Sequence, residues 1–314
     1  MGQFLLRRTG QAIAVLFGVS IIVFVMIHLL PGGPARAMLG NRATPAKIAA
    51  FDRQYGYNRP VVVQYFRWLG NVIQGNLGFS AKLNESVTTL ISQRLPGTAL
   101  LVGLANLFAL VLAVPIGMVQ AFRRNRLVDY LATGLSFVFY SMPIFWLGLI
   151  LVVLLAVQFH LFPPIVPQAS LGQLITTPAD IALPVITLTL VTIALFSRYI
   201  RSSTIEALTQ DWVRAVRAKG FTETDLAWRH VLRNSVGPVV TLVGLTLPVV
   251  VGGAVVVESV FNYPGMGLLL WNAAQDEDYP VILGVTLVVA TATVIGSLVA
   301  DLLYAVIDPR VRVR

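Results

Sequence analysis

Long apolar windows without charged side chains recur six times along the chain. About 20 apolar residues suffice to cross the hydrocarbon core of a bilayer, so each window predicts one transmembrane helix. The predicted spans cover about residues 11–30, 98–119, 130–157, 181–197, 236–257 and 281–300. The fourth is short and contains Pro184, and the third is long enough to tilt or to run into a loop. The pattern predicts an all-α integral membrane protein with six transmembrane helices, in which residues 1–314 form a single transmembrane domain.

Residues 31–97 form the one large segment between predicted spans. It opens with the turn signal Pro31-Gly-Gly-Pro34. Further along, one set of apolar residues recurs at helical spacing: Val62, Tyr65, Phe66, Leu69, Val72 and Ile73. Arg67 and Asn71 fall on the opposite side, so we expect an amphipathic helix, either on the membrane surface or packed on the bundle.

The segment 198–235, between the fourth and fifth spans, has a helical pattern of its own. Asp211 precedes Arg214, Arg217 and Lys219. Acid therefore comes early and base late, as the helix dipole favours. This order predicts a helix over these residues.

A glycine and a second helix start follow in the same segment. Gly220 stands where a helix would end in a left-handed cap. Thr222 and Asp225 then resemble a capping box, although Glu or Gln is usual at the second position. A helix, a glycine turn and another helix are more structure than a connection between two spans needs. The simpler alternative is a helical hairpin that only caps the bundle.

Charge places the ends of the chain and the loops on the two sides of the membrane. Only 12% of residues are charged and 56% are hydrophobic, whereas soluble domains carry about 25% charged residues. The two termini and the loops 120–129 and 198–235 hold 15 of the 23 Lys and Arg residues, and the loops 158–180 and 258–280 hold none. The positive-inside rule therefore places both termini and 198–235 in the cytoplasm, and 31–97 outside. The net charge of +9 reflects this topology and does not indicate nucleic-acid binding.

The outer segment 31–97 is itself basic, with eight basic residues against Asp52 and Glu85. This excess predicts attraction of an acidic protein surface or of peptide carboxylates. Ordinary solvated surface charge is the alternative.

Motifs for catalysis and for cofactor binding are missing from the sequence. A phosphate-binding loop needs a Gly-Lys pair, and each of the three lysines follows an alanine. His28, His160 and His230 lie far apart, no acidic cluster has metal-ligand spacing, and there is no cysteine. We therefore predict no catalytic residue, no metal site and no bound cofactor, which disfavours a membrane-embedded enzyme.

The predicted spans carry few groups that could drive transport by themselves. His28 is their one ionisable residue, whereas ion-coupled transporters usually place charged residues at mid-membrane. The candidates for the transport pathway are four polar residues and one helix-breaking proline: Asn106, Ser141, Pro143, Thr189 and Thr246. Interhelical hydrogen bonding is the alternative role of the polar ones. An autonomous secondary transporter or channel is thus disfavoured relative to a pore driven by another protein.

The 198–235 segment resembles the coupling motif of ATP-binding-cassette importer permeases, Glu-Ala-Ala-x3-Gly-x9-Ile-x-Leu-Pro. Ala215, Gly220 and Leu232 match it, whereas the Glu, the second Ala, the Ile and the Pro are replaced. The form Arg-Ala-Lys-Gly-Phe, followed by Arg-His-Val-Leu-Arg-Asn, is similar to the dipeptide, oligopeptide and nickel permeases. Within that group it resembles the B-type, the first of the two permease subunits.

Other motifs in the same order extend the resemblance over nearly the whole chain. They include Arg94–Thr98, Ser141–Pro143, Glu258–Phe261, Pro264–Gly267, Asp278–Pro280 and Asp308–Arg310. Two motifs of the outer segment depart from the family pattern, because Gly33 and Asn76 stand where the family has Asp. The chain therefore lacks those two carboxylates.

The resemblance implies the permease subunit of an ATP-driven importer of di- or oligopeptides in a prokaryotic cytoplasmic membrane. Its implied partners are a second homologous permease, two ATPase subunits or domains that use ATP and Mg²⁺, and an extracytoplasmic binding protein that delivers the substrate. The implied ATPase contact comprises Asp211, Arg214, Ala215, Arg217, Lys219 and Gly220. The chain itself would not be an enzyme. Because the binding protein largely sets the substrate, nickel chelates or glutathione-like peptides are the alternative cargo.

Overall fold

The computed structural model describes residues 2–29, 33–39, 43–244 and 246–307. Pro31 and Gly32 of the turn expected at Pro31–Pro34, and the motif Asp308–Arg310, lie outside the described residues, whereas Gly33 and Pro34 begin a helix that covers Gly33–Leu39. Most of the described chain is helical, which confirms the all-α fold class.

The first part of the chain contains four helices, a short hairpin and the beginning of a long helix. These elements are α1 (Gly2–His28), α2 (Gly33–Leu39), α3 (Pro45–Tyr55), α4 (Val61–Ile73), β1 (Phe79–Ser80), β2 (Glu85–Ser86) and α5 (Val87–Phe122). Strands β1 and β2 pair antiparallel, with Phe79 opposite Ser86 and Ser80 opposite Glu85.

The remaining elements are helical. They are α6 (Leu127–Ser141), α7 (Ile144–Leu151), the π-helical segment π1 (Val152–Gln158), α8 (Leu171–Thr176), α9 (Pro178–Leu208), α10 (Asp211–Ala218), α11 (Glu223–Asp225), the π-helical segment π2 (Leu226–Val231), α12 (Leu232–Ser235), α13 (Gly237–Gly244), α14 (Leu247–Gly252), α15 (Val255–Val260), α16 (Met266–Gln275) and α17 (Tyr279–Ile307).

The chain divides into two compact units. Unit 1 comprises Met1–Ala99, Leu247–Ser259 and Pro264–Val299. Unit 2 comprises Leu100–Thr246, Val260–Tyr263 and Ala300–Arg314.

Four helices among the described residues are long and apolar enough to cross a membrane. They are Arg8–Met26 within α1, all of α5, all of α9, and Tyr279–Leu298 within α17. Helices α6 and α7 together with π1 are apolar enough for a fifth span, but they meet at an angle of 104°. A multi-pass membrane protein is therefore confirmed, whereas the six-span topology stays a prediction.

Pro143 explains the bend within the predicted span 130–157. Helix α6 ends at Ser141, and Met142 has an extended backbone with ψ 130°. The ring of a proline disfavours the α region for the residue before it, so a helix ends there. Pro143 then stands directly before α7. The missing N–H of proline breaks no hydrogen bond there, because the first N–H groups of a helix have no partner within the helix.

The predicted span 236–257 falls on α13, α14 and the start of α15 instead of one continuous helix. Gly253 follows the end of α14 with φ +86°, and its N–H donates to the Val249 carbonyl at 2.9 Å. A Cβ at Gly253 would lie 2.2 Å from the backbone nitrogen of Gly267. The turn and the close approach of two backbones thus both require glycine.

In unit 1, helix α4 packs against α1. The hydroxyl oxygens of Tyr65 and Ser20 are 2.7 Å apart, and the rings of Tyr65 and Phe24 meet edge to face with centroids 5.3 Å apart. Of the two positions expected for the amphipathic helix, the structure shows packing on a neighbouring helix. Val62, Phe66 and Ile73 of the predicted apolar face stay exposed.

In unit 2, α5 and α9 approach closely and share a buried cluster. Ala113 and Met118 of α5 meet Phe196 and Ile200 of α9 there. Gly117 permits this approach, because a Cβ at that position would lie 2.7 Å from Cβ and Cγ2 of Ile200 and from the Ser197 carbonyl oxygen. Helix α6 also packs on α9, with the Arg198 guanidinium 4.9 Å from the centroid of the Phe137 ring.

Gly117→Ala is expected to lower the free energy of unfolding by about 1–3 kcal/mol, the usual cost of overpacking a well-filled contact. Gly103→Ala on the same helix is the matched control, because no atom lies within 4 Å of its added Cβ. Alanine favours a helix over glycine by about 0.8–1.0 kcal/mol, so the control should be neutral or more stable. Unfolding of the full chain in mixed micelles measures both variants, and equal stabilities would contradict the close approach.

Candidate functional site

The six residues expected to contact an ATPase lie on α10 and the turn that follows it. The helix begins at Asp211, whose carboxylate lies in the first turn, and Arg217 lies in the last turn. The predicted order of acid and base therefore matches the helix direction. All six residues are exposed: Asp211, Arg214, Ala215, Arg217, Lys219 and Gly220.

The opposite face of α10 is anchored in unit 2. Val213 is fully buried in the cluster that α5 and α9 form, and the half-buried Trp212 and Val216 pack against that cluster. Burial of apolar surface stabilises by about 25 cal/mol per Å², so the burial of these three side chains holds α10 against the unit 2 cluster. An outside contact on the exposed face of α10 would thus act on the core of unit 2.

Gly220 ends the helix with a left-handed backbone, as the sequence predicted. Its φ is +84°, and its N–H donates to the Arg217 carbonyl at 2.9 Å. No atom lies within 4 Å of a Cβ built at this position. Glycine is therefore required by the backbone conformation alone and not by crowding.

The second helix of the loop starts at a Thr222 cap. Its hydroxyl oxygen accepts from the Asp225 N–H at 3.1 Å and donates to the Asp225 carboxylate at 2.7 Å. Helix α11, π2 and α12 then follow without a break as far as Ser235.

The sequence analysis missed the π-helical segment π2. Leu226 and Val231 are five residues apart, and both are fully buried in the unit 2 cluster. Each hydrogen bond of a π-helix joins residues five positions apart, one more than in an α-helix, so its wider turn brings residues at this spacing closer to one face. A pair of apolar residues five apart was the available signal.

Arg217 is engaged within the loop. Its Nε donates to Glu223 Oε1 at 2.8 Å and its Nη2 donates to Oε2 at 3.1 Å. The hydrogen bonds to Glu223 raise the pKa of the Arg217 guanidinium above its usual value. Both side chains are about half exposed, and such pairs contribute about 0–1 kcal/mol, so a partner could still recruit Arg217. Sequence reasoning did not foresee the role of Glu223.

A second charged contact ties α6 to α9 near the same loop. The buried Asp129 carboxylate accepts from Arg201 Nε at 2.7 Å and Nη2 at 2.8 Å, and from the Asn125 N–H at 3.0 Å. Helix α9 ends at Leu208, three residues before α10. The ion pair therefore fixes the helix that leads into the exposed face. These two residues are 72 positions apart, and nothing in the local sequence pairs them.

Two of the five predicted pathway residues lie close together. Thr189 donates from α9 to the Ala105 carbonyl of α5 at 3.5 Å, and the neighbouring Asn106 donates to Val102 at 2.9 Å. Asn106 Oδ1 is buried and finds no hydrogen-bond partner in the described part of the chain. Asn106 and Thr189 thus lie at one helix crossing.

The other three pathway candidates are Ser141, Pro143 and Thr246. Ser141 and Pro143 are exposed at the bend between α6 and α7, and the Ser141 hydroxyl donates to the Val138 carbonyl at 3.3 Å. Thr246 donates to the Val243 carbonyl of α13 at 2.7 Å. Their place on a transport path stays a prediction.

Two family descriptions match the chain. The description "Binding-protein-dependent transport system inner membrane component" matches residues 113–313. Its N-terminal counterpart, "Binding-prot-dependent transport system membrane comp, N-term", matches residues 1–102.

Named relatives match the chain over nearly its whole length. The oligopeptide transport system permease protein AppB of Bacillus subtilis (strain 168) is 38% identical, over 99% of each chain. The dipeptide transport system permease protein DppB of Escherichia coli (strain K12) is 35% identical, over 99% of each chain. A putative peptide permease protein of Brucella suis biovar 1 (strain 1330) is 40% identical over the full length of both.

A solved structure shares the fold. The MetNI methionine ABC transporter, in inward-facing conformations, contains a chain that superimposes with a TM-score of 0.53 at 16% identity. The match covers 70% of this chain and 96% of the other. This similarity concerns the fold alone.

Proposed function

Since the chain belongs to the family of binding-protein-dependent transport system inner membrane components, we propose that it is one of the two permease subunits of an ATP-driven peptide importer. The observation that carries the substrate class is the identity of 35–38% over 99% of the chain to permeases named for oligopeptide and dipeptide transport. Di- or oligopeptides are the proposed cargo.

We assign ATP hydrolysis, which drives transport, to partner subunits. Members of this family are permease components of ABC transporters, which are generally non-catalytic, and we assign ATP and Mg²⁺ to two ATPase subunits or domains. A second homologous permease completes the path, and an extracytoplasmic binding protein delivers the peptide. The chain is a multi-pass component of the inner membrane.

We assign the ATPase contact to the exposed face of α10. Arg214 and Lys219 offer cations there, Gly220 sets the direction of the chain, and Val213 joins the same helix to the core of unit 2. An ATPase that binds this face differently in its two states would shift the equilibrium of the permease between two conformations. Transport would then follow the ATPase cycle.

We also propose six spans with both termini in the cytoplasm. The four long apolar helices, the bent pair α6 and α7, and the apolar helices α13 and α14 supply the six apolar segments. The distribution of Lys and Arg supports the orientation.

Uptake in cells with and without the gene for this chain tests the function. Labelled dipeptides, a longer peptide, glutathione and a nickel salt are offered in parallel. We expect deletion to abolish peptide uptake only, and the series of peptide lengths to define the size class. If peptides still enter while nickel or glutathione uptake is lost, the peptide assignment is wrong.

A further inference from the structure

A groove of about 630 Å³ opens in the outer segment of unit 1. Its apolar wall contains Phe51, Tyr57, Trp68 and Leu77. The rings of Phe51 and Tyr57 stack nearly parallel, with an interplanar angle of 10° and centroids 5.9 Å apart. Small-molecule pockets typically measure about 300–1,000 Å³, so this outer groove has the size of a ligand site.

Hydrogen bonds hold the frame of the outer groove. The buried Gln64 donates its amide N–H groups to the carbonyls of Tyr57 at 2.9 Å and Arg59 at 2.7 Å. Its Oε1 lies 2.8 Å from His28 Nε2 on α1. The turn between α3 and α4 is therefore fixed to α4, and α4 to α1.

The outer groove is cationic. Lys47 and Arg67 line it, and none of its described lining residues is acidic. Arg67 lies against Gly56, where a Cβ would stand 2.6 Å from the guanidinium Nη1. Gly56 has φ +78° at the end of α3, so the glycine serves both the turn and the position of Arg67.

Asn76 also lines the outer groove, where the pattern of the resembling permeases carries Asp. Its Oδ1 accepts from the Gly78 N–H at 3.1 Å, a bond that Asp would also make. The departure therefore preserves the local turn and removes one negative charge. The groove of this chain is consequently more attractive to anions than that of a relative with Asp.

We propose that the outer groove binds the carboxyl end of a short peptide. The α-carboxylate pairs with Lys47 and Arg67, and an apolar C-terminal side chain lies against the aromatic wall. Charged hydrogen bonds to a carboxylate suit Arg in particular. This inference rests on the proposed peptide transport and adds a receiving site on the permease itself.

Photo-crosslinking with a dipeptide of alanine and 4-benzoylphenylalanine tests the site. The full chain is labelled in native membranes, and mass spectrometry maps the crosslinks. We expect labelling within residues 47–86, and about tenfold less labelling by the C-terminal amide of the same dipeptide, since about 1.4 kcal/mol of binding corresponds to tenfold.

Three variants test the charge of the groove, and one serves as the control. Lys47→Gln and Arg67→Gln should each lower labelling by about tenfold, in line with the loss of one charged hydrogen bond. Asn76→Asp should lower it too, because the turn is kept and a carboxylate is added. Lys82→Gln should leave labelling unchanged, because Lys82 is exposed in the same outer segment and does not line the groove.

The inference and the proposed function fail in different ways. Equal labelling by acid and amide, or crosslinks mapping elsewhere, would overturn the groove as a carboxylate site even where the chain is required for peptide uptake. The same holds if Arg67→Gln lowers uptake of acid and amide peptides equally without any dipeptide crosslink, because the groove would then serve a protein partner. Peptide uptake that does not need the chain would overturn the function itself.

Discussion

Replacing Glu258 by alanine is expected to lower the free energy of unfolding by about 3 kcal/mol or more, because several buried donors would lose their acceptor and each such loss costs about 1–3 kcal/mol. Glu258 is fully buried in unit 1. Its Oε1 accepts from the Ala254 N–H at 3.1 Å and the Thr98 hydroxyl at 2.9 Å. Its Oε2 accepts from the N–H groups of Gly267 at 2.6 Å and Leu268 at 3.0 Å. Alanine would leave these donors buried without an acceptor.

Thr98→Val provides a graded comparison for Glu258. The Thr98 hydroxyl donates to Glu258 and accepts from the Met266 N–H at 2.8 Å, so the nearly isosteric valine removes one donor and one acceptor. A loss of about 1–3 kcal/mol is expected, as for a buried polar group left unsatisfied. Asp276→Ala is the control, because this exposed acid of the same loop should change stability by less than about 0.5 kcal/mol.

Unfolding of the purified chain in mixed micelles of detergent and dodecyl sulfate measures all three variants. The loss in free energy of unfolding should be largest for Glu258→Ala, smaller for Thr98→Val and smallest for Asp276→Ala. If Glu258→Ala and Asp276→Ala lost equal stability, the carboxyl group would not organise the turn between α15 and α16. The double variant should lose less than the sum of the two single losses, because Thr98 and Glu258 share a bond.

Gly220→Val is expected to reduce the peptide transported per ATP hydrolysed by about tenfold or more. A residue with a Cβ loses roughly 1–2 kcal/mol in the left-handed region, and a β-branched side chain loses more. A cost of about 1.4 kcal/mol already shifts an equilibrium tenfold. Since no atom surrounds the added Cβ, the effect would come from the turn and not from crowding.

Gly220→Asn is the matched control, because asparagine enters the left-handed region more readily than other residues. The Gly220→Asn variant should keep most of the peptide transported per ATP hydrolysed, although asparagine adds a side chain that glycine lacks. The complete importer, reconstituted in liposomes, allows peptide uptake and phosphate release to be measured in one sample. Wild-type coupling in the valine variant, at equal membrane levels, would exclude the proposed role of the turn. A loss shared equally by asparagine and valine would point to side-chain size instead.

The sequence was most informative where structure depends on neighbouring residues. Helix α10 and the left-handed Gly220 follow from charge order and from the need for a residue without a Cβ, both of which are local properties. The amphipathic helix α4 follows from apolar spacing in the same way. The exposed candidate face of the loop could therefore be predicted, although the pairing of Arg217 with Glu223 could not.

Two acids of the loop 258–280 are covered by other parts of the chain, which charge counting by itself does not indicate. Glu258 and Asp278 lie in a loop without basic residues, and both are buried. Asp278 accepts a hydrogen bond from the Ser80 hydroxyl beside the β-hairpin. Position in the sequence indicates which side of the membrane a charge is on, but not whether another segment covers it.

By itself, the sequence determined that the chain is an apolar helical membrane protein and where the helical loop turns. It also predicts which side of the membrane each loop faces. These features depend on length, periodicity and charge within short stretches. Only the tertiary structure decided that α6 and α7 meet at 104°, that the fifth apolar segment is divided, and that Glu258 pairs with Thr98 160 positions away. Such features depend on which distant segments pack together, because a buried polar group must find its partner wherever the fold brings one.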